Sequence, residues 1–148
     1  YFCTFYEDDL YNPRFFERMA KVLDGHDEYD AVWCSQYWLK KEKDKETLIK
    51  VWKADKDLTP KDRFNNVVDG GQIMMRTRAI YKMINENPIL WKTDRYELVP
   101  ESPDTCRHSD GLFFEKFKTV ITKVGYIEEP LYTHRFSPES TFTKDSQV

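Results

Sequence analysis

The fold class is indicated by the opening stretch, YFCTFYEDDLYNP (residues 1–13). Its first six residues are aromatic or β-prone and predict a strand. The acidic run at residues 7–9 ends that strand, and Asn12 followed by Pro13 is typical of the start of a helix. Apolar residues then recur at helical spacing up to Gly25. A strand that leads directly into a helix is typical of α/β folds.

The remaining sequence continues this alternation. The patterns predict strands at residues 30–39, 47–52, 72–76 and 126–135, and helices at 78–85, capped by Thr77, and at 110–119. The first two of these strands are expected to form a hairpin. Residues 86–109 and the tail after Ser137 read as irregular. We expect one domain over residues 1–148, an α/β fold with a mixed sheet flanked by helices.

Composition narrows the function classes. Hydrophobic residues make up 40% of the 148 residues and charged residues 33%, which is a soluble globular composition. The net charge is -3 and no dense Lys/Arg run occurs, which argues against a nucleic-acid partner. Aromatic residues reach 16%. This share is compatible with a large core and with ring faces that stack on a sugar or nucleobase.

The cysteines and the hydropathy pattern bear on location. Cys3, Cys34 and Cys106 are an odd number without CxxC spacing, so we expect free thiols and a reducing, cytoplasmic location. No apolar run approaches the roughly 20 residues that span a bilayer, so no transmembrane segment is expected in this chain. The protein could still work at the inner face of a membrane.

The acidic run Glu7-Asp8-Asp9 is the first candidate for chemistry. Ligands of α/β folds gather beyond the carboxyl ends of strands, and paired carboxylates there suit Mg²⁺ or Mn²⁺. The alternative is a solvated loop whose negative charge favours the following helix N-terminus. The residues alone leave both interpretations open.

Residues 5–13 (FYEDDLYNP) resemble a strand end found in family-2 glycosyltransferases of the GT-A fold. In that family an apolar strand finishes in Asp-x-Asp-Asp and is followed by a proline and a helix. The resemblance implies that Asp8 and Asp9 bind the metal. Tyr6 stands where the family has its first aspartate, which helps to hold the nucleotide, so Glu7 would serve substrate binding with shifted geometry.

Residues 69–76 (DGGQIMMR) resemble the family's small-residue turn, apolar strand and Arg-bearing helix start. The resemblance implies substrate-binding roles for Gly70, Gly71 and Arg76. Glycine allows the backbone to approach a bound sugar closely. An ordinary turn between a loop and a strand explains the glycines equally well.

Residues 108–117 (HSDGLFFEKF) resemble the family's helix that begins with the catalytic base. An inverting transfer needs a carboxylate within hydrogen-bond reach of the acceptor hydroxyl, and Asp110 is the residue in that position. The alternative role for Asp110 is a helix N-cap.

Residues 128–135 (EEPLYTHR), followed by Ser137 and Ser140, resemble the family's closing strand, which ends near an aromatic–Arg pair. His134 stands where an aromatic residue is more common. The resemblance implies that His134 ligates the metal or contacts the diphosphate, and that Arg135 neutralises phosphate charge.

The resemblance implies an inverting, metal-dependent transfer of a sugar from a nucleotide-diphosphate donor, with UDP expected, to a carbohydrate or glycoconjugate hydroxyl. It covers residues 1–140, and the family's N-terminal nucleotide-binding region would precede Tyr1, so we expect a metal- and acceptor-binding half. Bacterial polysaccharide assembly is the setting that the family suggests. Two alternatives stay open: a carbohydrate-binding or interaction module without catalysis, and a nucleotidyltransferase that uses the same carboxylates.

Overall fold

The computed structural model describes residues 1–60, 68–86 and 109–136, with only the backbone described at residues 109–112. Three helices and six strands occur in these ranges. They are β1 (Phe2–Cys3), β2 (Leu10–Tyr11), α1 (Phe15–Gly25), β3 (Ala31–Glu42), β4 (Lys45–Trp52), β5 (Ile73–Met75), α2 (Thr77–Glu86), α3 (Ser109–Val120) and β6 (Val124–Phe136). A short 3-10 turn at Gly70–Gln72 leads into β5.

The strands form one mixed sheet in the order β1-β5-β3-β6-β2, and β4 pairs with the outer half of β3. The β3–β6 pair is parallel and the others are antiparallel. The α/β fold with a mixed sheet is therefore confirmed, as is the β3–β4 hairpin.

The first half of the central strand β3, residues 31–36, is buried on both faces and separates two apolar cores. Ala31 and Trp33 face a core that α2 and α3 complete, whereas Val32 and Cys34 face a core that α1 completes. This alternation follows from the two-residue period of a strand. A strand covered on both sides needs a continuous apolar run, which is what residues 31–34 provide.

Strand β6 is irregular where it carries a proline. Its pairing with β3 shifts between Cys34 and Gln36, whose partners on β6 are Ile127 and Tyr132. Pro130 lies within this irregular stretch, where a missing backbone donor costs least. The strand predicted over residues 126–135 therefore forms as one strand, with a bulge near Pro130. The bulge determines which β6 side chains face the outer half of β3.

The first strand was predicted to run to Tyr6, and this is wrong: β1 ends at Cys3. The chain then turns, with the backbone N–H of Asp9 donating to the Tyr6 carbonyl at 3.3 Å. The acidic run therefore lies in a turn between β1 and the unpredicted β2. Short-range β propensity could not reveal this because β2 forms by pairing with β6, far along the chain.

Helix α1 begins at Phe15 rather than at Pro13. Asn12 still fulfils a capping role one turn earlier. Its side-chain oxygen accepts from the Arg14 N–H at 2.9 Å, and its carbonyl accepts from the Phe15 N–H at 2.8 Å. Helices α2 and α3 match their predicted ranges to within one residue at each end.

Several predictions fall outside the described residues. These concern most of the irregular stretch at 86–109, the tail after Ser137, and the side chain of Cys106. Within the ranges that are described, no helix has the length and apolar character needed to cross a membrane.

Candidate functional site

The acidic turn presents its carboxylates in two different environments. Glu7 and Asp8 are exposed, whereas the side chain of Asp9 is 1% exposed. A buried carboxylate must be hydrogen-bonded to be stable. The three acidic residues are therefore not equivalent, and Asp9 is built into the fold.

Asp9 is held by three neighbours on β6. Its Oδ1 accepts from the backbone N–H of Arg135 at 2.9 Å, and its Oδ2 accepts from the Tyr132 hydroxyl. The ring Nδ1 of His134 lies 3.2 Å from Oδ1. These contacts fasten the acidic turn to the end of β6.

Tyr132 connects the acidic turn with the glycine turn. Its hydroxyl, which donates to Asp9, also lies 3.2 Å from Asp69 Oδ1. Burial raises the pKa of Tyr132, and the negative charges of Asp69 and Asp9 raise it further. The phenol therefore stays protonated and serves as a hydrogen-bond donor between two carboxylates.

His134 lies beside this group with its side chain 21% exposed. Burial lowers its pKa, but the hydrogen bond with Asp9 and the charges of Asp69, Asp9 and Asp8 outweigh burial, and the net pKa is raised. The ring therefore stays protonated to a higher pH than an ordinary histidine, and in that form it supplies positive charge at an acidic site.

The glycine turn is shaped by the ring of Tyr132. A Cβ atom on Gly71 would lie 2.5 Å from that ring, so no other residue fits without displacing it. Asp69 caps the turn, accepting from the Gly71 N–H at 2.9 Å. The close approach of this backbone to a bound sugar stays a prediction, and the group that lies against Gly71 in the fold is the Tyr132 ring. Gly70 contacts the first segment of the chain, because the Thr4 hydroxyl donates to its carbonyl at 2.6 Å.

Two buried glutamines extend this polar network into the sheet. Gln72 accepts from the Asp69 N–H at 2.8 Å and donates to the Cys34 carbonyl at 2.6 Å. Its Oε1 also accepts from Gln36 Nε2 at 2.7 Å. The Asp69 turn is therefore anchored on the central strand.

Arg135 spans the rim of the site. Its guanidinium donates to the backbone carbonyl of Asp8 and lies 3.5 Å from Glu46 Oε1 on β4. Its side chain is 19% exposed. Arg135 therefore stabilises the acidic turn and keeps a cationic group beside it.

Arg76 does not join this group. Its Nε donates to the Tyr29 carbonyl at 2.8 Å, and its terminal nitrogen donates to carbonyls at the end of α1. Its backbone N–H bonds to Asp30 at one end of β3, whereas His134 is opposite Trp38, roughly 25 Å further along that strand. The contacts of Arg76 are those of a residue that holds α1 in place.

A narrow crevice separates the helix that carries Asp110 from the acidic and glycine turns. Phe113 and Phe114 of α3 line this crevice together with Thr4, Tyr6 and Gly70. Asp110 lies one turn earlier on the same helix, in its first turn. The start of α3 is thus close to the segments that carry the acidic and glycine turns. The side chain of Asp110 and the whole of His108 lie outside the described part of the chain.

The donor atoms at the acidic turn determine which mode of metal binding the site allows. No group of three or more His, Cys, Asp or Glu side chains is arranged as a metal site within residues 1–60, 68–86 and 109–136. Asp8 offers an exposed carboxylate, while Asp9 and His134 contact each other. Mg²⁺ is commonly bound by one or two carboxylates together with substrate phosphates, and this donor set fits that mode.

Tyr132 and Asp69 lie within two of the sequence motifs, but neither was predicted to have a role in the site. Asp69 had a local signal, because it precedes two glycines and matches a capping position. Tyr132 had no such local signal, because an aromatic residue in a strand usually belongs to the hydrophobic core. Gln36 and Gln72 were equally unpredicted as members of the site.

Comparison with known proteins adds no relative. A scan against protein-family models and a search of curated proteins both found no match to this chain.

Proposed function

We propose that this chain is the metal- and acceptor-binding part of an inverting glycosyltransferase of the GT-A type. The reaction would transfer a sugar from a nucleotide-diphosphate donor, with UDP as the expected nucleotide, to a carbohydrate or glycoconjugate hydroxyl. The cytoplasmic location stays a prediction from the cysteine content, and a role in polysaccharide assembly stays a prediction from the resemblance.

The observation that carries the proposal is the convergence of distant segments. Asp9, Asp69 and Tyr132 meet in one hydrogen-bonded group, and Gly70 touches both Thr4 and the crevice lined by α3. Each segment was singled out in the sequence as a separate motif. An isolated capping residue or an isolated turn would not require the segments to meet.

The charge balance of the site suits a phosphate ligand bound through a cation. Asp8, Asp9 and Asp69 bring negative charge, which the guanidinium of Arg135 offsets in part and which His134 offsets further when it is protonated. Asp8 would be the protein ligand of a Mn²⁺ or Mg²⁺ ion that the donor diphosphate also binds. The bound ion would stabilise the negative charge that develops on the leaving diphosphate.

The remaining roles are assigned to this chain's own residues. Asp9 acts as a positioning residue that fixes the acidic turn against β6. Arg135 and His134 would contact phosphate oxygens of the donor. Asp110, in the first turn of α3, would accept the proton of the acceptor hydroxyl as that oxygen attacks the anomeric carbon.

The test is a calorimetric titration of UDP into the full chain with and without Mn²⁺. Manganese-dependent binding is expected, and Asp8→Asn should abolish it because that change removes the exposed carboxylate while leaving Asp9 and the fold intact. Asp44→Asn is the matched control, since it removes the same charge in the turn between β3 and β4 and should leave binding unchanged.

Failure of UDP to bind under both conditions would reject the proposal for this chain, as would binding that Asp8→Asn and Asp44→Asn affect equally. The reaction class is then read from the products. A glycosyltransferase releases UDP and a glycosylated acceptor from a UDP-sugar, whereas a nucleotidyltransferase would transfer the nucleotide and release pyrophosphate or a sugar phosphate.

A further inference from the structure

The outer half of β3 carries a second cluster of unusual side chains. Across the described residues, the buried side-chain nitrogen and oxygen atoms without a hydrogen-bond partner are Gln36 Oε1, Trp38 Nε1 and Trp52 Nε1. Gln36 is directly opposite Trp52 in the β3–β4 pairing, and Trp38 is two residues further along β3. All three side chains therefore project from the same face of the sheet.

The orientation of the Gln36 amide follows from its neighbours. Gln72 Oε1 can only accept, so Gln36 must present its nitrogen to it. The Gln36 oxygen is consequently directed elsewhere and is left without a donor. Buried polar atoms are rarely left unpaired, and three such atoms on one face indicate a missing partner.

Aromatic rings surround these atoms. The ring centroids of Trp38 and Trp52 are 5.5 Å apart, and Phe136 packs edge-on against Trp38 at 4.8 Å. The Lys50 ammonium covers the Trp52 ring at 3.5 Å from its centroid. Lys50 is exposed and flexible, so it can leave that ring face to a ligand.

We propose that this face, defined by Gln36, Trp38, Trp52 and Phe136, binds a saccharide. A sugar combines an apolar ring face, which stacks on indole, with hydroxyl groups that both donate and accept hydrogen bonds. Two unpaired indole donors and one unpaired amide acceptor match those hydroxyls. An apolar surface with a few convergent polar groups is the usual composition of a small-molecule site.

The position of this face connects it with the candidate catalytic site. Trp38 is opposite His134 in the β3–β6 pairing, and the rings of His134 and Phe136 are 4.4 Å apart. If the proposed glycosyltransferase function holds, the saccharide face is the acceptor subsite. The binding itself needs neither nucleotide nor metal, so it is tested separately.

The experiment follows indole N–H signals by NMR in the ¹⁵N-labelled full chain, assigned with single Trp→Phe variants. Cellotetraose, chitotetraose and maltotetraose are titrated in turn without UDP or Mn²⁺. With at least one of them, the Trp38 and Trp52 signals are expected to shift. The Trp33 signal is the internal control, because its N–H already donates to the Lys56 carbonyl at 3.2 Å and should not move.

Variants then test the contacts. Trp38→Ala should weaken binding of the responding saccharide by roughly tenfold, since it removes both the ring and the donor. Trp38→Phe should weaken it less because a ring remains. Tyr37→Ala is the matched control: Tyr37 is the neighbouring aromatic residue on the opposite face, is 37% exposed, and should have no effect.

Three outcomes would overturn the inference. The first is the absence of shifts at Trp38 and Trp52 with all three saccharides, and the second is an equal shift of the Trp33 signal. The third is a shift that depends on protein concentration alone, because that result would assign the face to a second copy of the chain. Saccharide binding without UDP binding would support the face and leave the chain a carbohydrate-binding module. UDP binding without saccharide binding would reject the face while the proposed function stands.

Discussion

At the scale of single residues, Tyr132 explains more of the site than any acidic residue does. It contacts Asp9 and Asp69 through its hydroxyl, and its ring requires glycine at position 71. Carboxylates this close repel each other unless a donor or a cation lies between them. The phenol provides that donor inside the fold.

Tyr132→Phe keeps the ring and removes the donor. We expect the free energy of unfolding to fall by about 1–3 kcal/mol, because the buried Asp9 carboxylate loses a hydrogen bond. Urea unfolding followed by circular dichroism measures the change. Tyr81→Phe is the control, since Tyr81 is 63% exposed on α2 and should cause no change. Equal effects of the two variants would contradict this account of Tyr132.

His134 makes the stability of the chain depend on pH. Its folded-state pKa is raised above the ordinary value of 6.5, so its contribution is fully present below about pH 6.5 and is lost as pH rises through the folded-state pKa. The free energy of unfolding should therefore decrease across that window. His134→Asn should remove this part of the pH dependence in urea titrations at a series of pH values. An unchanged pH slope in the variant would disprove the assignment.

At the scale of secondary-structure elements, the contacts of Arg76 show how one side chain replaces a missing cap. The last carbonyls of any helix lack intrahelical partners. α1 has no basic residue in its last turn, and Arg76 supplies its guanidinium from the end of β5. The end of β5 is thereby tied to the end of α1.

Arg76→Ala should lower the free energy of unfolding by about 2–3 kcal/mol, because charge-assisted bonds to Leu23 and Tyr29 are lost. Amide hydrogen exchange should accelerate at the end of α1. Arg14→Ala provides the comparison: its ion pair with Glu17 is exposed and 3.7 Å long, so the expected change is near zero. A substrate-binding role for Arg76 predicts the reverse pattern, with weaker ligand binding at unchanged stability.

At the scale of the whole molecule, the buried thiol of Cys34 reports on global unfolding. Cys34 is fully buried on the central strand, and burial raises its thiol pKa to about 12. The reactive thiolate is therefore scarce and inaccessible in the folded state. The half-buried Cys3, with its pKa raised to about 11, should be less protected because it lies on a two-residue strand at the sheet edge.

We expect alkylation of Cys34 by iodoacetamide at pH 8 to proceed only through global unfolding, at a rate that Tyr132→Phe and Arg76→Ala both increase. Peptide mass spectrometry resolves Cys34 from Cys3 and Cys106. Rapid labelling of Cys34 in the unperturbed chain would show that the sheet opens locally at its centre, contrary to a strand covered on both faces.

The local sequence determined the elements that depend on short-range patterns. The helices at α2 and α3, the β3–β4 hairpin and the α/β class follow from apolar periodicity and turn residues, which act within a few positions. The acidic run drew attention to Asp9 by itself, whereas the glycine turn and His134 became candidates through the resemblance of their motifs to a glycosyltransferase family. The proximity of these residues in space could not be predicted from the sequence patterns, because periodicity carries no information on long-range pairing.

Only the tertiary structure decided how those residues are used. Asp9 and Tyr132 are separated by 123 positions, and their contact exists because β2 pairs with β6 and β6 is bulged before Tyr132. The end of β1 at Cys3 and the contacts of Arg76 with the end of α1 likewise depend on segments that are distant in sequence. Strand register and burial are set by pairing partners across the whole chain. Residue type can therefore indicate a candidate functional side chain, but it does not predict which residues that side chain contacts.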